Sequence, residues 1–275
     1  MILPDIFPIV NDRYMHFALF VTKLFSFRHK GTKTPKNNNK ILRVFVANIW
    51  PVRLTPLGMR AGVSGLGCYK MTPPVTGIIL AGGQNTRFSG TNKALIRVAG
   101  RCILDGIYDV FSELFEEIIL VTNDPIQYLE WDLNIVTDIF PIRCSLTGIH
   151  AGLFYMNTPH AFFMACDIPF LKKGLVETIL DGIEPGVDIV IPETSKGLEP
   201  LCSVYSKHCL KPVEQQLVKQ QLKIRQVFQK VRVKKLPETI LRKADPDLIS
   251  FSNINTPEDL ARAEHIATCK TAESP

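Results

Sequence analysis

From Val75 onward the chain alternates short apolar runs with amphipathic stretches, and this alternation restricts its fold more than any other feature. "VTGIILA", "EEIILVTN", "LNIVTD", "HAFFMACD" and "VDIVIPE" are rich in apolar residues, as strands buried on both faces are. Between them, "ILDGIYDVFSELF", "TGIHAGLFYMN" and "LKKGLVETILDGI" carry apolar residues at helical spacing. Strands of this kind separated by helices predict an α/β fold with a mostly parallel, doubly wound sheet. Three strands run into polar loops, at "LAGG", "VTD" and "ACD". Open α/β sheets bind ligands beyond the carboxyl ends of their strands, so Gly82, Gly83, Asp138 and Asp167 are expected to converge there. After Pro192 the pattern changes. "EPLCSVYSK" reads as a strand, "HCLKPVEQQLVKQ" as a helix broken near its start by Pro212, and "KVRVKKL" as an edge strand. "NINTPEDLARAEHIA" contains a helix start: Thr256 as N-cap, Pro257 at the first helical position, and Glu258 and Asp259 in the first turn.

The first seventy residues have another character. They hold eleven Lys/Arg against two Asp/Glu, a net of +9, whereas residues 71–275 hold twenty-one against twenty-four, a net of −3. The formal charge of +6 therefore arises entirely in the N-terminal part, and the body gives no electrostatic case for binding nucleic acid. "FALFVTKLFSF" and "ILRVFVANIW" are apolar but interrupted by Lys23 and Arg43, and "RHKGTKTPKNNNK" is a basic low-complexity linker. Three readings compete: a targeting segment, a basic arm for an acidic partner, or a stretch outside the native protein with Met71 as the start. The last is preferred, because the composition changes at that methionine. Residues 1–70 are expected to be a poorly ordered extension outside the core, and residues 71–275 a single domain. The seven cysteines are scattered, odd in number and without a C-x-x-C pair. That argues for a reducing, cytoplasmic setting and against a zinc or disulfide framework. No apolar run reaches the roughly 18 residues of a membrane-spanning helix.

The candidate chemistry is concentrated in "TGIILAGGQNTRFSGTNKAL", Thr76 to Leu95. Gly82 and Gly83 leave bare backbone that can pass close to a ligand and offer N–H groups to phosphate. Arg87 and Lys93 add fixed positive charge, Arg as a fork and Lys as a point charge. Together they describe a polyphosphate cradle, although neither a Walker A loop nor G-x-G-x-x-G is present. Asp167, in "FMACDIPFL", ends a buried strand, where an acid is costly unless paired or metal-bound. It is either a Mg²⁺ ligand on the phosphates or the cap of a helix beginning near Phe170. Asp138 poses the same choice between ligand and turn. Asn123 either hydrogen-bonds a nucleoside or turns the chain beside Asp124. Asn253 and Asn255 share one face of an extended segment, and either bind ligand or metal or tie the loop to the following helix. His150 and His160 read as helix-face and loop residues, and Cys166 as an inert thiol within a strand.

Taken together, "ILAGGQNTRFSGTNKAL", "LTGIHAGL", "ACDIPFL", "EPLCSVY" and "NINTPEDLARAE" resemble the molybdenum cofactor guanylyltransferases, or MobA family, over about residues 75–266. The resemblance implies a Rossmann-like nucleotidyltransferase fold. It also implies Mg²⁺-dependent transfer of GMP from GTP to molybdenum-loaded molybdopterin, with release of pyrophosphate. By matching position, Leu80, Ala81, Gly82 and Gly83 would contact guanine and phosphates, and Lys93 and Arg87 the phosphates. Asn123 and Asp138 would contact the nucleoside, and Asp167 both GTP and Mg²⁺. Glu199, Asn253 and Asn255 fall on the pterin side. GTP and molybdopterin are the implied partners, with molybdoenzyme apoproteins or their chaperones as candidate recipients. Two positions depart from the family pattern. Asn92 stands where an Asp often precedes the lysine, and Cys144-Ser145 replaces a usual Gly-Pro.

Two rival readings are kept. A related transferase could use another base, CTP above all, or another acceptor; the cytidylyltransferases usually read "LAAG" where this chain has Leu80-Ala81-Gly82-Gly83. A non-catalytic nucleotide-binding protein could deliver cofactor to an apoenzyme, but the presence of Lys93, Asp138 and Asp167 together argues against it, since a pure binder does not need a metal-holding acid.

Overall fold

In the computed structural model the described residues are 73–82, 92–131 and 133–272. The basic N-terminal segment lies outside them, as do Gly83 and Arg87 of the expected phosphate cradle. The chain begins with β1 (Val75–Leu80), a short hairpin of β2 (Arg97–Val98) and β3 (Arg101–Cys102), α1 (Ile103–Leu114), β4 (Ile118–Val121) and β5 (Asn134–Val136). It continues through α2 (Ser145–Tyr155), β6 (His160–Ala165), α3 (Lys173–Leu180), β7 (Ile189–Thr194), β8 (Gly197–Leu198) and β9 (Cys202–Ser206). The last elements are α4 (Leu210–Val218), β10 (Val233–Pro237), α5 (Glu238–Ala244) and α6 (Pro257–Ala272).

The main sheet has the order β10-β7-β9-β6-β1-β4-β5, with β8 paired to β7. The β1–β4, β1–β6, β4–β5 and β7–β10 pairs are parallel. β9 runs antiparallel between β6 and β7, an orientation that the apolar pattern of "EPLCSVYSK" does not encode. The edge strand expected from "KVRVKKL" is β10. Pro212 sits within the first turn of α4, where a backbone N–H is not needed, so the helix is not broken there. α5 and the β2–β3 hairpin are too short to give a periodic signal.

Side chains alternate across the strands and build one core on each face of the sheet. Ile79, Leu120, Phe162 and Met164 pack with Ile107 and Phe111 of α1, Val176 and Ile179 of α3, and Leu241 of α5. Ile78, Leu80, Ile119, Val121 and Phe163 pack with Ile149 and Leu153 of α2 and with Val213 and Leu217 of α4. Gly77 admits the aromatic cluster on the first face, since a Cβ there would lie 2.6 Å from Phe115 and 2.7 Å from Phe111. Gly152 likewise lets α2 approach the second face, its Cβ position being 2.7 Å from Phe163. The chain leaves β1 for β4 and β5 on one side, then returns through α2 to β6 on the other. That reversal opens a crevice at the carboxyl end of β1.

Candidate active site

The crevice is lined by the end of β1 (Leu80, Ala81, Gly82), by Asn92 and Lys93, by Asp138, by Ser145 and Gly148 of α2, and by Cys166, Asp167 and Leu201. A Cβ added at Gly82 would meet nothing closer than 3.9 Å among the described residues. Protein packing therefore does not demand glycine at this position; its bare backbone keeps room for a ligand in the crevice. Tyr128 links Ala81 and Asn92: its buried hydroxyl accepts from Asn92 Nδ2 at 2.7 Å and lies 3.4 Å from the Ala81 carbonyl. Burial, the largest influence on this phenol, keeps it protonated. Asn92 also donates to Gln127 at 2.6 Å, and its Oδ1 accepts from the Ala94 N–H at 3.1 Å, capping the short turn Lys93–Leu95. A carboxylate at position 92 could accept but not donate, so the amide at this departure from the family pattern has a structural use.

Lys93 donates to Asn255 Oδ1 at 2.7 Å, and its ammonium is 3.9 Å from Asp167 Oδ2. Asp167 lies just beyond β6, and its backbone carbonyl accepts from the Ile254 N–H at 2.8 Å. It caps no helix: α3 begins at Lys173, after Lys172. Its Oδ1 is buried without a hydrogen-bond partner among the described residues. Burial, the largest influence, raises the carboxyl above its ordinary range, and Lys93 only partly opposes this. An enclosed hard oxygen lacking a partner and adjoining a cation is suited to a divalent ion carried on phosphate, which needs only one or two protein carboxylates. The chemistry of the residues present thus fits Mg²⁺ at Asp167.

Asn255 is held by the start of α6. Asp259 Oδ2 accepts from the N–H groups of Asn255 and Thr256, both at 2.9 Å, and Thr256 Oγ1 accepts from the Asp259 N–H at 3.2 Å. This reciprocal cap follows from Thr256-Pro257-Glu258-Asp259. Asn255 therefore faces Lys93, whereas Asn253 is exposed and its side chain makes no hydrogen bond among the described residues. The two amides do not act as a pair.

Asn123 and Asp138 follow β4 and β5 and meet directly, Nδ2 donating to Oδ2 at 2.7 Å. Burial raises the Asp138 carboxyl, against the opposing effects of Asn123, Thr147 and Arg143. α2 begins beside them at Cys144-Ser145, with Thr147 Oγ1 accepting from the Cys144 N–H at 3.3 Å and donating to the Cys144 carbonyl at 2.6 Å. Its first turn borders the crevice and adds the positive end of a helix dipole. The sequence marks Ser145 only as a departure from the family pattern and gives no site role to Tyr128 or Leu201. A Ser ahead of the "LTG" helix start was the one local signal available. Glu199 sits between β8 and β9, near the Thr194 hydroxyl at 3.4 Å, and does not line the crevice. Cys166 lies one residue past β6 rather than within it; burial first, then neighbouring Asp167, pushes its thiol up to about 12, too high for a nucleophile. His150 lies buried on α2, and His160 opens β6 instead of occupying a loop.

The chain is similar in sequence and fold to known proteins. A family model described as the MobA-like NTP transferase domain matches residues 77–236. A molybdenum cofactor guanylyltransferase of Desulfosudis oleivorans is 47% identical over 190 residues, covering 69% of this chain and 94% of the relative. A probable molybdenum cofactor guanylyltransferase of Natranaerobius thermophilus is 34% identical over 198 residues, covering 70% of this chain and 96% of the relative. The crystal structure of molybdopterin-guanine dinucleotide biosynthesis protein A from Archaeoglobus fulgidus superposes with a TM-score of 0.64 at 28% identity, covering 71% of this chain and all (100%) of that one. The chain belongs to the MobA-like NTP transferase family.

Proposed function

We propose that this protein transfers GMP from GTP to molybdenum-loaded molybdopterin, forming the guanine dinucleotide cofactor and releasing pyrophosphate. The observation that carries the reading is one cluster: the open backbone of Gly82, the ammonium of Lys93 and the unpartnered Oδ1 of Asp167 at the carboxyl ends of β1 and β6. It lies in a chain that aligns with nearly the whole length of a named guanylyltransferase.

The terminal phosphate oxygen of molybdopterin attacks the α-phosphorus of GTP, and the bond to the bridging oxygen breaks as pyrophosphate leaves. Both reactants are anionic, so the barrier is largely one of bringing like charges together and stabilising the leaving group. Backbone N–H groups from Gly82 onward hold phosphate. Lys93, fixed by Asn255, supplies a positive charge that needs no reorganisation during transfer. Arg87, between Gly82 and Lys93 in sequence, adds a fork for phosphate oxygens. Asp138 and Asn123, bonded to each other, orient the nucleoside, and the N-terminus of α2 adds positive potential beside them. Asp167 would hold Mg²⁺, which when bound would supply positive charge to offset that of the phosphate oxygens. Catalysis resides in residues 71–275, in a reducing cytoplasm; molybdoenzyme apoproteins or their chaperones receive the product.

The test follows pyrophosphate release with Mg²⁺, molybdenum-loaded molybdopterin and either GTP or CTP. Release with GTP alone is expected, and a chain shortened to begin at Met71 is expected to retain it. Release with CTP would overturn the choice of base, and silence with both nucleotides would overturn the reaction.

A further inference from the structure

Asp245 is the one carboxylate among the described residues with no exposed surface, and the crevice does not use it. It follows α5, and its Oδ2 accepts from the Ser250 N–H at 2.8 Å. Lys172 approaches Oδ1 at 2.9 Å but off the line of a directed hydrogen bond, so that contact is held by charge. Ser250 is equally enclosed. Its hydroxyl donates to the Phe170 carbonyl at 3.2 Å and accepts from the Lys172 N–H at 3.0 Å. Leu248 completes the turn in a left-handed conformation, φ 53°, with its N–H bonded to the Asp245 carbonyl at 2.9 Å. These bonds lace residues 170–172, which follow Asp167, to residues 245–250, which lead to Asn255. The lacing ends at the Ile254 N–H on the Asp167 carbonyl, 2.8 Å.

Apolar residues in place of a buried ion pair often leave a protein as stable or more so, so stability alone gives little reason for charge here. Unlike an apolar contact, the Ser250 hydrogen bonds are directional, and with the charge pair beside them they restrict how the two segments can sit. Asp167 and Asn255 adjoin these two segments, joined by the Ile254 N–H on the Asp167 carbonyl, and Asn255 accepts from Lys93.

We propose that Asp245, Lys172 and Ser250 form a brace that positions Asp167 and, through residues 251–255, Asn255 and Lys93 for phosphate transfer. Asp245 is a positioning residue and touches no substrate. The proposal rests on the reading of Asp167 as the acid that holds Mg²⁺.

The test uses the full chain and two variants. Asp245→Asn keeps the shape and loses the charge; Ser250→Ala keeps the charge pair and loses two bonds. Amide hydrogen exchange at Ile254 is compared with that at Ile79, in the centre of β1. Exchange at Ile254 is expected to quicken by about tenfold in both variants while Ile79 keeps its protection. The Mg²⁺ concentration for half-maximal pyrophosphate release is expected to rise by roughly tenfold, with kcat lowered more than KM for GTP changes. Equal quickening at Ile254 and Ile79 would reduce the brace to ordinary stability, and so overturn the proposal. Folded variants within about twofold of wild type at Ile254 and in Mg²⁺ dependence would also overturn it. If Asp245→Asn does not fold, Ser250→Ala decides. Wild type that shows no Mg²⁺-dependent binding of GTP would remove the functional reading instead, and the exchange at Ile254 would still judge the brace.

Discussion

Replacing Asp167 by Asn is expected to impair transfer severely and yet stabilise the protein free of ligand. In that state Oδ1 is buried with no hydrogen-bond partner among the described residues, and Oδ2 has Lys93 at 3.9 Å, beyond hydrogen-bonding distance. An unsatisfied buried acceptor costs about 1–3 kcal/mol, more when charged. Attraction to Lys93 offsets part of this, but the raised carboxyl shows that desolvation prevails. Asn has nearly the same shape and no charge, so a net gain of roughly 1 kcal/mol follows, or about 2–4 °C in Tm for a domain of this size. The sign with pH is fixed. A carboxyl raised in the folded state penalises folding above that raised value, and the penalty disappears as acid protonates it. The advantage of the variant is therefore full at pH 8 and fades toward about pH 4, near the unfolded value. Thermal unfolding of both proteins across this range measures it. Adding Mg²⁺ and GTP at about a hundredfold over Kd should stabilise wild type by about 2.7 kcal/mol and the variant far less. Turnover should fall by about 10²–10³-fold. A variant that melts below wild type at pH 8, or an advantage that grows in acid, would refute the reasoning.

Lys93→Met keeps the apolar stem and removes the charge; turnover is expected to drop by roughly 10²-fold or more in steady-state pyrophosphate release, with the fold intact by circular dichroism. Gly77→Ala drives a methyl group to within 2.6 Å of Phe115 and is expected to lower stability by about 1–3 kcal/mol in urea unfolding, while kcat of the folded fraction is kept. Thr256→Ala removes the α6 cap and should cost about 1 kcal/mol in the same measurement. Because Asn255 is held at that cap, a lower kcat should accompany the loss.

Sequence reading found the strands and most helices from Val75 onward because each carries its own period: "HAFFMACD" and "ILDGIYDVFSELF" need no neighbour to be recognised. It missed α5 and the β2–β3 hairpin, which are too short to show one, and the antiparallel setting of β9, which depends on its partners. Of the expected site, Gly82, Lys93, Asp138 and Asp167 were identifiable as polar or glycine residues at strand ends, and they line one crevice. Gly83 and Arg87 lie outside the described residues. Asn255 was identifiable as a polar residue before a helix cap, but not as the partner of Lys93, from which it is separated by most of the domain in sequence.

The sequence by itself determined the α/β class, the glycine and charge pattern from which a phosphate site is proposed, and the Thr256–Asp259 cap, because each is written in residues close together along the chain. Only the tertiary structure decided that Asp167 keeps an oxygen unpartnered among the described residues, that Lys93 is held by Asn255, and that Ser250 bonds Asp245 on one side and residues 170–172 on the other. Each of these depends on which distant segments the sheet brings together, and the energies of burial and pairing exist only after that meeting.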